Sequence, residues 1–404
     1  VTETAVRLRS LFPLDPDAAY LNHGAYGVVP HTVSVAQAAW RERIEAAPGP
    51  FFARECAPAL RAALDAVAPR LGAEGADTAF VDNVTGGFNG LLRSLDLKPG
   101  DEILLGRHGY GAFRNAALFA ASRTGAVVVE ADTPFPVTDA RTMGGVFAAA
   151  MTDRTRLVVV DHVGSSTAVA WPVEEVVAAC RREGVVVAVD GAHAPGHVPV
   201  DVARIGADVY LANLHKWAFA PRGTGVLWAS KAVQEWLHPA VVSWGYGKGF
   251  AAEFDWTGTR DVSGWLAAPE GFALHERLGG GALMARNRGL ATGAGDMLAD
   301  AWGTRCGGPP RITAAMRCVQ LPEIDVPGTP DGVSALRARL WDQHRIEAPV
   351  YLHDGALWVR IAAQAYNELE DFVRLRDAVE GMRPARRQLA VVRRRSIVPV
   401  GAAA

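Results

Sequence analysis

From about residue 78 the chain alternates short β-branched runs with helix-like stretches, and no other feature of the sequence narrows the possible folds as far. Parallel strands need a long crossover between them, so strand-then-helix alternation is the pattern of a parallel sheet covered by helices. The runs read as strands are Thr78–Val81, Glu102–Leu105, Ala126–Val129, Leu157–Val160, Val185–Val189, Asp208–Leu211 and Gly225–Trp228. They predict an α/β fold with a large, mostly parallel seven-stranded sheet. Pro172-Val173-Glu174-Glu175 opens a helix carrying Val176, Val177 and Cys180, closed by Arg181, Arg182 and Gly184. Lys98-Pro99-Gly100-Asp101 reads as a turn delivering the next strand. After residue 265 a helical region runs to about Asp300, and mixed elements punctuated by Pro309, Pro310, Pro322 and Pro327 follow. The expected division is an N-terminal segment over 1–30 that lines the active site, a large domain over 31–265 and a smaller C-terminal α+β domain over 266–404.

Composition removes several function classes. The 404 residues carry 41 basic against 43 acidic side chains, a formal net charge of −2, so no global electrostatic footprint for nucleic acid exists. Apolar runs fall short of the roughly 18 to 20 residues that span a bilayer, and the opening VTETAVRLRS has no apolar signal region. A cytoplasmic protein is the expectation, with no membrane or nucleic-acid partner. The basic stretch from Arg383 to Arg395 reads as a solvated tail. Cys56, Cys180, Cys306 and Cys318 lie far apart without a CxxC pair, so neither a disulfide framework nor a zinc knuckle is indicated. Lysine occurs only at Lys98, Lys216, Lys231 and Lys248, so chemistry that needs an amine has four candidates.

Some site types can be set aside. Pro195 and Gly196 break the helix that would align His193 and His197 as metal ligands. No nucleophile elbow surrounds Ser165 or Ser166, and Lys248 is followed by Gly249 rather than by the hydroxyl residue of a phosphate loop. No strand feeds Gly245-Tyr246-Gly247-Lys248-Gly249, which reads as a loop.

Ligands in open parallel sheets bind beyond the carboxyl ends of the strands, so polar residues that follow apolar runs mark the site. Asp190-Gly191-Ala192-His193 follows one run and Asp161-His162-Val163-Gly164-Ser165-Ser166-Thr167 another. Asp82-Asn83-Val84-Thr85-Gly86-Gly87 precedes a helical stretch, where a hydroxyl and free N–H groups form a phosphate site or a plain N-cap. Asn213-Leu214-His215-Lys216-Trp217 puts a lysine at a fourth strand end among apolar neighbours, where desolvation lowers the amine's pKa and favours a Schiff base with an aldehyde. A pyridine aldehyde phosphate asks for these groups together: an amine, a carboxylate for the ring nitrogen, a phosphate cradle and a flat group on the ring face.

On these residues the sequence resembles the fold-type I pyridoxal 5′-phosphate (PLP) enzymes, within them the class V aminotransferase family and its isopenicillin N epimerase-like branch. The resemblance runs from Tyr20 to about Leu375. It is carried by DGAHAPG, NLHKW, WTGTRD at 256–261 and VRIAAQAYNELEDF at 359–372. It implies that Lys216 bonds the cofactor and then moves protons, that Asp190 pairs with the ring nitrogen, and that His193 sits near the ring hydroxyl. It assigns Thr85, Gly86 and His215 to the phosphate, Tyr110 to the ring face, and Ser165 or Ser166 to polar contacts. It further implies a homodimer with shared active sites, in which Thr259 reaches the neighbouring subunit's phosphate. Arg360 is implied to grip the substrate α-carboxylate, and Asn22, His23 and Tyr26 to line the substrate pocket.

Relatives of this kind racemise, transaminate, desulfurate or eliminate. A desulfurase would need a cysteine shortly before the arginine, and HRIEAPVYLHDGALWV at 344–359 contains none. C–S β-elimination of a cysteine S-conjugate is the leading expectation. Epimerisation of the isopenicillin N type, decarboxylating oxidative deamination or transamination, and a non-catalytic PLP-fold binding protein are the alternatives. Arginine-for-lysine usage and abundant alanine have the look of a GC-rich, actinomycete-type genome, which points to antibiotic-type secondary metabolism.

Overall fold

The computed structural model describes residues 8–182 and 184–384, so the tail from residue 385 lies outside the described residues. All seven expected strands form one sheet: β2 (Thr78–Val81), β3 (Glu102–Gly106), β4 (Val127–Ala131), β5 (Thr155–Asp161), β6 (Val186–Asp190), β7 (Val209–Asn213) and β8 (Gly225–Ala229), after a short β1 (Ala19–Tyr20) outside it. Their spatial order is β2-β8-β7-β6-β5-β3-β4. The sheet is parallel except for β8, which runs antiparallel to β7 and β2. The departure has a local cause: residues 214–224 join β7 to β8 without a crossover helix, and so short a link returns the chain in the opposite direction.

Period-two patterning divides the two faces of the sheet. Leu157 and Val159 join Phe88 and Phe113 in one core, while Val158 and Val160 join Leu60, Leu64 and Val176 in the other. The first core is built with α3 (Val84–Ser94) and α4 (Gly111–Thr124), whose Phe88 and Phe113 rings stack 4.1 Å apart. The second is built with α2 (Cys56–Val67) and α5 (Val173–Cys180), preceded in the chain by α1 (His31–Ala46). Sequence patterning places six of the seven strands one or two residues early at their carboxyl ends, and β2 ends at Val81 as expected. Asp161, Asp190 and Asn213 are still in the ladder, because each has a neighbour to pair with: Asp161 with Asp190, Asp190 with Leu211 and Asn213 with Gly225.

A second, antiparallel sheet follows, made of β9 (Met316–Gln320), β11 (Val350–His353) and β12 (Ala356–Ala362) in the order β11-β12-β9. The helical region before it is two helices, α6 (Ala268–Arg277) and α7 (Gly281–Trp302), separated at Gly279 and Gly280, both with positive φ. Leu298 of α7, Leu336 and Leu340 of α8 (Pro330–His344), and Phe372 and Leu375 of α9 (Leu369–Glu380) share one core with Val359 and Ile361. The N-terminal β1 pairs in parallel with β10 (Ile346–Glu347), which brings residues 22–26 between the two sheets. No described helix is long and apolar enough to cross a membrane.

Candidate active site

The carboxyl ends of β2, β5, β6 and β7 open on one cavity of ≈ 460 Å³. Lys216, Asp190, His193, His215, Thr85, Tyr110, Ser165 and Tyr26 all line it, so six separate stretches of the chain meet there. Asp190 closes β6 and is buried, and its Oδ1 accepts the N–H of Ala192 at 2.9 Å. Burial lifts its carboxyl to about 6, against the opposing pull of the Ala192 N–H and the Lys216 charge. Lys216 is buried just past the end of β7, with Nζ 3.2 Å from Nε2 of His193. Burial brings its amine down to about 8, opposed by the charge of Asp190 and reinforced by that of Arg360. An amine near 8 is neutral in an appreciable fraction at neutral pH, which an exposed lysine is not.

These shifts bear on stability. Lys216 titrates near 8 in the fold and near 10.5 unfolded, so between those values the unfolded chain holds the extra proton and stability rises with pH. Asp190 acts in the opposite sense: between 3.8 and about 6 the folded chain holds the extra proton and stability falls as pH rises. Lys216→Met should therefore flatten the melting-temperature profile of the ligand-free chain between pH 8 and 10.5. A parent profile already flat there would contradict the lowered amine.

Around this pair the sequence-expected residues divide. The side chain of Asn83 caps α3 by accepting the N–H of Gly86 at 2.9 Å, and Oδ1 of Asn213 accepts that of Val84 at 3.0 Å. Thr85 is left facing the cavity, whereas Gly86 gives its N–H to the cap and lines a neighbouring depression with Thr257 and Arg260. His215 donates Nδ1–H to the carbonyl of Thr224 at 3.0 Å, which turns its other nitrogen outward. Tyr110 sits at the start of α4, 41% exposed at the cavity mouth. Ser165 is in the wall. Ser166 is behind it, its carbonyl accepting from Cys318 Sγ at 3.1 Å and His353 Nε2 at 3.3 Å.

Arg360, Asn22 and His23 form a buried layer beside the cavity rather than its lining. Arg360 donates to the carbonyl of Ser165 at 2.5 Å and to Oδ1 of Asn22 at 2.9 Å, while its Nε is buried without a partner. Asn22 passes the chain of contacts to Glu347 at 2.8 Å. His23 is held between the hydroxyl of Tyr366 at 2.9 Å and the carbonyl of Lys216 at 3.0 Å. Thr259 is exposed and does not line this chain's cavity; the adjacent Arg260 pairs with Asp82 and lies over the ring of Trp265 at 4.2 Å.

Asp161 lines the same cavity and was legible only as one member of a polar cluster. It closes β5 as Asp190 closes β6, in direct register with it, and burial with the charge of Asp190 drives its carboxyl well above the ordinary range. Arg222 at the cavity mouth was not singled out by any motif. Among the described residues no three His, Cys, Asp or Glu side chains form a metal-binding group.

A buried amine, a buried carboxylate and a capped helix start around a small-molecule-sized cavity are a donor set that fits a pyridine aldehyde phosphate. Comparison with known proteins agrees. Residues 33–327 match the family model for aminotransferase class-V. A putative L-cysteine desulfhydrase of Oryza sativa subsp. japonica is 36% identical over 93% of this chain and 86% of that protein. An isopenicillin N epimerase of Streptomyces clavuligerus is 34% identical over 91% of this chain and 96% of that protein. The solved structure of a cystine C–S lyase with its product cysteine persulfide shares the fold, with a TM-score of 0.78 at 23% identity over 91% of this chain and 99% of that one. The chain belongs to the class-V aminotransferase family, and its cofactor is pyridoxal 5′-phosphate.

Proposed function

We propose that this enzyme is a C–S lyase that removes the α-proton of cysteine or a cysteine S-conjugate and releases the sulfur by β-elimination. The observation that carries the reading is the buried Lys216 amine beside Asp190 in a cavity whose lining includes no thiol. PLP, when bound, supplies a ring that takes up the electron pair left on Cα. Lys216 Nζ takes the proton. Asp190 is the group for the ring nitrogen, Thr85 and His215 for the phosphate, Tyr110 for the ring face, and His193 and Ser165 for the ring hydroxyl.

Desulfuration through a cysteine nucleophile does not suit this site. Cys318 is buried, burial pushes its thiol up to about 12, and its Sγ donates to Ser166. Such a group carries almost no thiolate. The desulfhydrase relatives support elimination; the epimerase relatives support the alternative, inversion at Cα. Incubation with L-cysteine and cysteine S-conjugates decides between them. Elimination gives pyruvate, ammonia and sulfide or thiol in equal amounts, whereas inverted amino acid without pyruvate would replace the lyase reading by epimerisation.

Arg360 is the proposed anchor of the α-carboxylate, since its planar fork suits that group and its Nε is unpaired. Arg360→Ala should leave the cofactor spectrum unchanged and raise the substrate concentration needed by about 30- to several-thousand-fold, the value of a buried charged contact. Arg360→Lys should recover only part of this, because it restores charge without the fork. Unchanged substrate affinity in Arg360→Ala would place the carboxylate elsewhere.

The reading includes a homodimer with shared sites. Its support is that Thr259 is exposed and away from its own cavity, on a chain that also exposes Val241, Val242, Trp244 and Tyr246. Four free thiols and balanced charge suit a cytoplasmic setting.

A further inference from the structure

Trp217 follows Lys216 directly and is fully buried. Its ring is clasped by His197, which lies flat on the indole with centroids 3.9 Å apart and planes 4° from parallel. His197 is fixed at both nitrogens: Nδ1–H donates to the carbonyl of His193 at 2.7 Å, and Nε2 accepts the N–H of Ala315 at 2.7 Å. The indole N–H, which can only donate, is thereby aimed at Nδ1 of His193, 3.5 Å away. A ring nitrogen that accepts a hydrogen bond cannot carry the proton, so neutral His193 has its hydrogen on Nε2. Nε2 is the atom that meets Lys216 Nζ.

We propose that Trp217 is a positioning residue that sets the tautomer of His193, making His193 an N–H donor toward the cavity and matching it to Lys216 as a neutral amine rather than an ammonium. The proposal rests on the reading that Lys216 carries the α-proton and adds the reason His193 does not. With Nδ1 engaged by the indole, the edge facing the cavity offers a proton and no lone pair. A charged Lys216 would need Nε2 as its acceptor, which moves the ring proton to Nδ1 and sets it against the indole N–H. Each tautomer of His193 is thus tied to one protonation state of Lys216.

Other groups act on the same pair. Asp190 and Asp161 favour the charged form of Lys216, whereas burial and Arg360 favour the neutral one. Burial first, then the charges of Lys216 and Arg360, with His197 and His215 also facing the ring, hold His193 neutral. Trp217→Phe alters none of these charges; it removes the donor while keeping an aromatic ring for His197 to stack on.

The test uses the full-length, cofactor-free protein labelled with ¹⁵N-histidine, read by two-bond ¹H–¹⁵N correlation, with the His193 signals assigned by their loss in His193→Gln. At about pH 9.5, above the value of about 8 to which burial lowers Lys216, His193 should carry its proton on Nε2. In Trp217→Phe the ratio of Nε2–H to Nδ1–H should fall by about three- to tenfold, the equilibrium value of one neutral hydrogen bond. The titration of Lys216 sensed by those signals should also move up, by at most about one pH unit. Nδ1–H in the parent, or a ratio unmoved in a Trp217→Phe protein whose His197 signals are unchanged, overturns the proposal. If Trp217→Phe does not fold, the parent spectrum alone decides. No turnover enters the measurement, so failure of the elimination assay and failure of this tautomer assignment are separate results.

Discussion

Lys216→Ala should lower the elimination rate by at least about 10²- to 10⁴-fold, the range that a positioned proton-transfer group contributes. The loss follows from location rather than from charge alone. Lys216 is the lysine that lines the cavity, and burial has already brought its amine toward neutrality. Lys216→Arg should be as inactive, because a guanidinium keeps the charge and cannot be deprotonated near neutral pH. Cofactor retention should fall less than activity in Lys216→Ala, since Thr85, His215 and Asp190 still face the cavity. Steady-state rates beside an equilibrium-dialysis measurement of bound cofactor check both halves. A Lys216→Ala enzyme within tenfold of the parent would mean another base takes the α-proton.

Asp190→Asn should cost roughly 10²- to 10³-fold in rate, the size of effect seen when a preorganised electrostatic partner is removed from a buried site. Asparagine keeps the shape and can still accept the Ala192 N–H, but it carries no charge to hold a proton on a ring nitrogen. Asp161 does not share the role while Asp190 is in place. It sits in register with Asp190, and burial together with the charge of Asp190 holds its carboxyl well above the ordinary carboxylate range. In Asp190→Asn the like charge disappears, so the pKa of Asp161 should drop and a partial rescue should emerge as pH rises. Asp190→Asn/Asp161→Asn should abolish that rescue. A single-variant rate equal to the parent's at all pH values would mean that neither carboxylate acts on the cofactor ring, and a uniform loss without rescue would leave Asp190 as the one that does.

Much of the fold was legible because strands buried on both faces leave unbroken apolar runs, and even the more exposed edge strand β4 is a β-branched run, so each of the seven was found within a residue or two of its bounds. The reversed β8 was not legible, since its composition matches its neighbours and direction is set by the link over 214–224. The candidate site's cavity lining was legible where chemistry and strand ends coincide, as at Asp190, His193 and Lys216. It was less so where a residue's use depends on which atoms its neighbours leave free. Gly86 is the example: its N–H reads as a phosphate donor in sequence, yet Asn83 occupies it. Asn22 and His23 show the same thing, because their partners Arg360 and Tyr366 lie more than three hundred residues away. Asp161 was obscured differently. A strand-ending aspartate looks like a turn cap until its register with Asp190 is seen.

If the cavity around Lys216 holds the cofactor through that amine, borohydride reduction of the holoenzyme followed by peptide mapping will show it. The holoenzyme should be yellow and bleach on reduction, with the pyridoxyl group on the peptide bearing Asn213-Leu214-His215-Lys216-Trp217 and on no other. Label on the Lys248 peptide, or a colour that reduction does not discharge, would contradict attachment through Lys216.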